Sequence, residues 1–397
     1  MKVLLIDVNC KYSSTGKIVY DLYRKLLEEG HDAAICYGRG KLIQEHNIYK
    51  FGVDWETFLH AGLSRITGLN GCYSSISTRK LIKYIEKFNP DVVHIHELHA
   101  YFVNIKPLIN YLKKKKKKIV WTFHCEYMYT GKCGHAYDCM NFTKECGNCP
   151  AVKEYPKSLF LDRTRKMFRE KKKMLEDLDF TIVTPSKWLA DRVKMSFLKN
   201  KHIEVIHNGV DTNAIFYRRS EKEIQSLKEK YFLSGKKIVL AVAPNIMDER
   251  KGGKIVLKIS NEIKDKNIQF VLVGNNETKK YSENVLLVAK TKDQNELAVW
   301  YSAADVFLIC SKRENFPTTC VEAICCGTPI VGIDEGGTKE TAIVPYGIFL
   351  KNPSTKDLAN AVLGQLVKEI SGNEIAEWGV RKYTKDMMYK KYLNIYK

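Results

Sequence analysis

No apolar run in this chain reaches the roughly 18–20 residues that cross a bilayer as a helix, which argues against a membrane-spanning protein. A secretory leader is lacking too. Met1-Lys2-Val3-Leu4-Leu5-Ile6 starts as one would, but Asp7 ends the apolar run far short of an h-region. The segment reads as a first buried strand, and a cytoplasmic location is expected. There is no helix-turn-helix, RNP or zinc-finger spacing, so nucleic acid is not an expected partner. No period of 20–50 residues repeats, which excludes solenoids and propellers. Acidic residues are in short supply: 45 Asp and Glu face 65 Lys and Arg, for a net charge of +20. Residues 1–200 hold 35 basic against 21 acidic residues, so +14 of the excess lies in the first half. Two readings of that excess stay open. It is either the solvated face of lysine-rich helices, or a surface drawn to anionic headgroups on the inner face of the cell membrane. The run Lys113–Lys118 falls between a helix and a strand, as a solvated turn able to touch such a surface.

What is present fits a soluble α/β protein. A chain of 397 residues exceeds one ordinary core and suits two domains. Short apolar strands alternate with longer helical patterns, the signature of parallel sheets. Strands are expected at Val3–Asp7, Asp91–His96, Ile119–Phe123 and Phe180–Val183. In the second half they are expected at Ile238–Ala243, Gln269–Val273, Val306–Ile309, Ile330–Ile333 and Gly347–Leu350. Apolar Ile18, Val19, Leu22, Leu26 and Leu27 set a helix over Gly16–Glu29. The Asn208-Gly209 turn separates one βα series from the next. The expected division therefore falls between residues 206 and 207.

The segment Ser311–Glu340 carries the strongest chemical signal. Glu314 and Glu322 stand eight residues apart, after the strand Val306–Ile309 and around the start of a helix near Thr318. Loop residues at the carboxyl end of such a strand are where open α/β sheets bind ligands. The amides around Phe316, Thr318 and Thr319 lie near a helix N-terminus, a natural anion site. Ionised carboxylates also accept strongly from sugar hydroxyls. Spacing alone is weak, and Glu322 equally suits the positive end of the helix dipole. Gly16 opens the first helix without the residues of a P-loop. His96-Glu97-Leu98-His99 is one residue short of the zinc-protease H-E-x-x-H pattern. Glu97 and His99 are better read as loop residues at a ligand cleft.

Twelve cysteines without a secretory context make disulfides unexpected. Cys133, Cys139, Cys146 and Cys149 cluster in an irregular excursion over about 130–157, too long for an ordinary loop without a staple. A structural zinc site, a reduced or redox-active cluster, and disulfides all remain readings of that cluster. Cys310, Cys320, Cys325 and Cys326 read as small core residues.

The Ser311–Glu340 segment resembles the E-x7-E signature of glycosyltransferase family 4, retaining enzymes of the GT-B fold. The likeness takes in the Glu-x-Phe-Pro opening, Gly327-Thr328-Pro329 and the Gly336-Gly337 close. It extends to Asn208-Gly209-Val210-Asp211, Thr184-Pro185-Ser186 and Trp121-Thr122-Phe123-His124, and to the ordered cysteines. The subgroup it most resembles builds bacterial capsule, colanic-acid-like or lipopolysaccharide polymers. The resemblance implies two Rossmann-like domains, 1–206 and 207–378, facing across a cleft, with a final helix over 379–397 that packs back on the first. It further implies transfer of a hexose-type sugar from a UDP- or GDP-linked donor to a glycan or lipid-linked oligosaccharide, with no catalytic metal. By the same likeness Glu314 faces the donor hexose, Glu322 holds the ribose, and Arg250 and Lys251 grip the diphosphate. His124 lies beside the reacting sugar, while Gly16, Asn315, Phe316, Pro317 and Thr318 line the donor. Two positions depart from the pattern: Asn245 stands where arginine is common, and Cys125 where aspartate is. An epimerase or hydrolase on the same fold, or a non-catalytic binder of nucleotide sugars or anionic polymers, would carry many of the same features.

Overall fold

The computed structural model describes residues 1–274, 281–291 and 293–397. Its chain forms two compact units: Met1–Ile206 together with Tyr389–Lys397, and His207–Met388. The first is built on β1 (Lys2–Asp7), β2 (Asp32–Tyr37), β3 (Ile48–Lys50), β4 (Val92–Ile95), β5 (Lys118–Thr122), β6 (Thr181–Thr184) and β7 (Ile203–Val205). The second uses β8 (Lys237–Val242), β9 (Ile268–Val273), β10 (Val285–Val288), β11 (Val306–Ile309), β12 (Ile330–Ile333) and β13 (Gly347–Leu350).

Every pairing is parallel, in the orders β3-β2-β1-β4-β5-β6-β7 and β10-β9-β8-β11-β12-β13. These are doubly wound sheets, and the strand order reverses between β1 and β4 and again between β8 and β11. Burial on both faces explains the continuous apolar runs. Along β8, Ile238 and Leu240 pack with Trp300 and Tyr301 on one face. Val239 and Ala241 pack with Ile259 and Val362 on the other.

All nine expected strands form, most within one residue of the expected bounds, but β2, β3, β7 and β10 were not anticipated. Two alanines dilute the β propensity of Asp32–Tyr37. At three residues each, β3 and β7 are too short to show a period. The first helix begins at Ser13 rather than Gly16. The final segment is not one helix from 379: Gly372–Tyr383 stops at Thr384, whose backbone is extended, and Lys385–Tyr396 follows. In that last helix the Tyr392 hydroxyl lies 3.0 Å from Thr122 Oγ1, and Tyr396 lies 2.6 Å from His94 Nδ1.

Candidate functional site

In the second unit the site grows from the strands that flank the reversal. After β8 a single 3-10 turn, Glu249–Lys251, is capped by Asp248, which accepts from the Arg250 amide at 2.9 Å. Gly252 then takes φ +75°, and a β-carbon there would stand 2.0 Å from the Cys310 carbonyl oxygen just beyond β11. The Lys312 amide donates to the Arg250 carbonyl at 2.9 Å. Two loops at neighbouring carboxyl ends are thereby clamped together. The clamp brings Lys251 Nζ to 2.6 Å from Glu314 Oε1, a half-buried ion pair between residues 63 apart in sequence.

Glu314 is also fixed through its backbone. Its carbonyl accepts from the Gly337 amide at 3.0 Å, and Gly336 lies directly against it at φ +65°. Arg250 is turned the other way, with its guanidinium 3.2–3.3 Å from Asp248. The helix Thr318–Cys325 starts at Pro317 with no side-chain cap, and the Cys320 amide donates to the Pro317 carbonyl at 3.1 Å. Glu322, on that helix, accepts from the Tyr301 hydroxyl at 2.9 Å. Burial and then the carboxylate push the Tyr301 phenol well above its ordinary range, so it stays a donor. Phe316 is buried and stacks on His207, with ring centroids 4.6 Å apart and 8° between planes. Asn315 and Thr318 flank it, half-buried. The result is a part-buried group of one ammonium, two carboxylates and a helix N-terminus.

The first unit assembles a different cluster, at the ends of β1, β4 and β5. Asp7 is buried and accepts from the Glu97 amide at 3.1 Å and from Thr15 Oγ1 at 3.2 Å. Burial, with Glu97 nearby, raises its carboxyl to about 7. Glu97 Oε2 lies 2.7 Å from His99 Nε2, and Cys125 Sγ donates to the same oxygen at 3.4 Å. Burial disfavours the Glu97 charge, but His99 outweighs it and holds the carboxyl down at about 2. The same pairing lifts His99 well above the usual histidine range against its own burial. His124 Nε2 lies 3.0 Å from His96 Nδ1, and burial lowers its basicity, so the ring is neutral near pH 7. Gly16 sits inside the first helical turn, where its amide bonds Ser13 Oγ at 3.3 Å.

Two groups could hold a metal. Glu97, His99 and Cys125 bring three donor atoms within 4.8 Å, alone among the described residues. Cys133, Cys139, Cys146 and Cys149 are not gathered that tightly, but all four line one pocket. His94 offers neither nitrogen to a metal, since Tyr396 and Thr122 occupy both. Sequence reasoning passed over Asp7 and Tyr301. Asp7 had one visible mark, a carboxylate closing a buried strand; Tyr301 had none.

The profile described as Glycosyltransferase Family 4 matches residues 15–214, and that described as Glycosyl transferases group 1 matches residues 223–377. The chain belongs to glycosyltransferase family 4. A putative colanic acid biosynthesis glycosyl transferase of Escherichia coli is 22% identical over 426 aligned positions, covering 100% of this chain and 99% of that protein. Among solved structures, sucrose-phosphate synthase from Thermosynechococcus elongatus aligns with a TM-score of 0.69 at 16% identity, covering 100% of this chain and 98% of that one. The Anabaena protein HepE, solved in complex with UDP, also gives 0.69, at 12% identity with 99% of each chain covered. Those likenesses show a GT-B fold. Glu314 and Glu322, spaced as E-x7-E, both fall within the second of these matches, one paired with a lysine and the other with a buried tyrosine.

Proposed function

We propose that the protein transfers a hexose-type sugar, with retention, from a nucleoside diphosphate sugar to a hydroxyl of a glycan or lipid-linked oligosaccharide in surface-polysaccharide biosynthesis. The observation that carries this reading is the Lys251–Glu314 pair beside an uncapped helix N-terminus at the β8–β11 reversal. Lys251 is a cation already positioned at a ligand-binding strand end. A diphosphate arriving there exchanges one carboxylate partner for a more highly charged one, and negative charge growing on the leaving group is met without reorganisation. Arg250 reaches the same group by releasing Asp248. Glu314, freed from Lys251, accepts from a sugar hydroxyl, while Glu322 accepts from the ribose. The leaving diphosphate takes the proton of the incoming hydroxyl on the same face, and His124, neutral, offers a hydrogen bond to the sugar. With two side-chain cations facing the diphosphate, no step calls for a catalytic metal.

Support for a lipid-borne acceptor comes from the helix Asp54–Thr67, which is inverted. It buries Glu56, Thr57, His60 and Ser64. It exposes Trp55, Phe58, Leu59 and Ile66, Phe58 to 72%. Leu159, Phe160 and Leu161 lie beside it through the Leu159 amide, which donates to Arg65 at 2.7 Å, and they too are exposed. Apolar residues flanked by Lys157, Arg65 and Arg163 suit the interface of an anionic membrane. No helix among the described residues is long and apolar enough to cross one.

A thermal-shift screen against UDP- and GDP-sugars tests the donor, since a ligand at 100 times its Kd adds about 2.7 kcal/mol of stability. Product anomers read by NMR test retention. Conversion of the donor without acceptor would assign an epimerase or hydrolase instead, and an inverted product would end the proposed mechanism.

A further inference from the structure

The irregular segment 130–157 of the first unit holds one helical turn, Asn141–Thr143, and otherwise lacks regular structure. Cys133, Cys139, Cys146 and Cys149 line a single pocket within it. The Gly131 amide donates to Cys146 Sγ at 3.2 Å. Amide donation of that kind favours a sulphur bearing negative charge.

Two buried lysines lie close by, Lys132 in the pocket lining and Lys171 outside it on the helix Thr164–Leu175. Lys132 is 2% exposed and donates only to the carbonyls of Val152 and Glu154, at 2.6 and 2.9 Å. Lys171 is 1% exposed and donates to the carbonyls of Tyr127 and Thr130, the latter at 3.0 Å. Neither ammonium has a carboxylate within ion-pair distance among the described residues. Cys146, Cys125, Cys133 and Cys72 act electrostatically on Lys171, and Cys133 and Cys149 act on Lys132 together with Asp162 and Glu154.

We propose that these four cysteines bind one divalent, thiophilic d10 cation, zinc above all, as a tetrathiolate that staples the segment. The shared pocket and the spacing carry this assignment. Four thiols that each give up a proton to water and bind Zn2+ form a centre of net charge −2, set beside the buried amines of Lys132 and Lys171. The Cys146-x2-Cys149 pair supplies the usual half-site, and Cys133 and Cys139 supply the other. Zinc–sulphur bonds of about 2.3 Å would draw the open tetrad closed. The Glu97–His99–Cys125 trio brings three donors rather than four, and His99 already pairs with Glu97 at 2.7 Å.

The test is metal analysis of the full-length chain after exhaustive dialysis against metal-free buffer. About one zinc per chain is expected, and close to none in the Cys146→Ser/Cys149→Ser variant, with a lowered Tm. Cys125→Ser should keep its zinc. Because the double variant can fail to fold, wild-type protein exchanged with Co2+ provides a second reading: intense visible d–d bands and a near-ultraviolet thiolate charge-transfer band. Lys171→Met should weaken zinc retention about 10-fold or more, as loss of an outer partner does. A folded, metal-free wild type with four alkylatable thiols would overturn the proposal. So would disulfides among the four, or zinc lost in Cys125→Ser but retained in the double variant.

Discussion

Replacing Gly336 with alanine should separate the geometry of Glu314 from its chemistry. A β-carbon at 336 would stand 1.8 Å from the Glu314 carbonyl oxygen and 2.9 Å from its carbon, both backbone atoms. Reaching even 3.0 Å requires the two segments to part by about 1.2 Å. The φ of +65° adds the left-handed penalty of about 1–2 kcal/mol for a residue with a side chain. Separation also strains or breaks the Gly337–Glu314 hydrogen bond at 3.0 Å, worth about 1 kcal/mol. Together these predict a loss of about 2–3 kcal/mol in urea unfolding, leaving the fold intact. Turnover should suffer more, because displacing a positioned group by about 1 Å costs roughly 100-fold. Nucleoside diphosphate release at saturating donor and acceptor reads that loss. Gly364→Ala is the control: it lies in the helix Thr355–Leu366 with nothing within 4 Å of the new carbon. It should gain about 0.5–1 kcal/mol and keep full activity. If Gly336→Ala matches Gly364→Ala in stability and rate, the Gly336 turn does not set Glu314 and the site is wrongly built.

Lys251→Met should cost under about 1 kcal/mol of stability, since the pair with Glu314 is part-exposed. Turnover should nevertheless fall by about 100- to 1,000-fold if Lys251 meets the leaving diphosphate, and a change under fivefold would remove it from that role. The Asp7 carboxyl, raised by burial from 3.8 to about 7, is favoured in its protonated form by the fold. Its contribution to stability therefore falls as pH rises from about 4 through 7. Urea unfolding of wild type against Asp7→Asn should show that slope in the wild type alone. Phe58→Glu with Phe160→Glu, both highly exposed, should leave Tm within about 2 °C and abolish flotation with vesicles containing phosphatidylglycerol. Unchanged flotation would remove that face from the membrane reading.

How much of this was legible in the sequence follows from what each feature depends on. Strands buried on both faces announce themselves as apolar runs, so β8, β9, β11 and β12 were visible, and with them the loops that carry Glu314 and Lys251. The Lys251–Glu314 pair was not visible as a contact. It exists because β8 and β11 are neighbours across the reversal, an outcome of strand order rather than of any local pattern. His96 and His124 likewise meet only because β4 pairs with β5.

The helix Asp54–Thr67 marks a deeper limit. Its stripe of Trp55, Phe58, Leu59 and Ile66 has the spacing of an ordinary core-facing surface. Periodicity, however, defines a face without saying which side faces in. Here the polar face wins the interior because each buried group is met. Glu56 accepts from the Ile76 and Ser77 amides and the Ser77 hydroxyl at 2.6–2.8 Å. His60 bonds Ser74 and the Gly71 amide, and Ser64 donates to the Leu69 carbonyl. Unmet, those groups would cost about 1–3 kcal/mol apiece and turn the helix over. Met, they leave the apolar stripe outside. We read that stripe, with its basic flanks, as a face for an anionic bilayer, and the flotation of the Phe58→Glu/Phe160→Glu variant decides it.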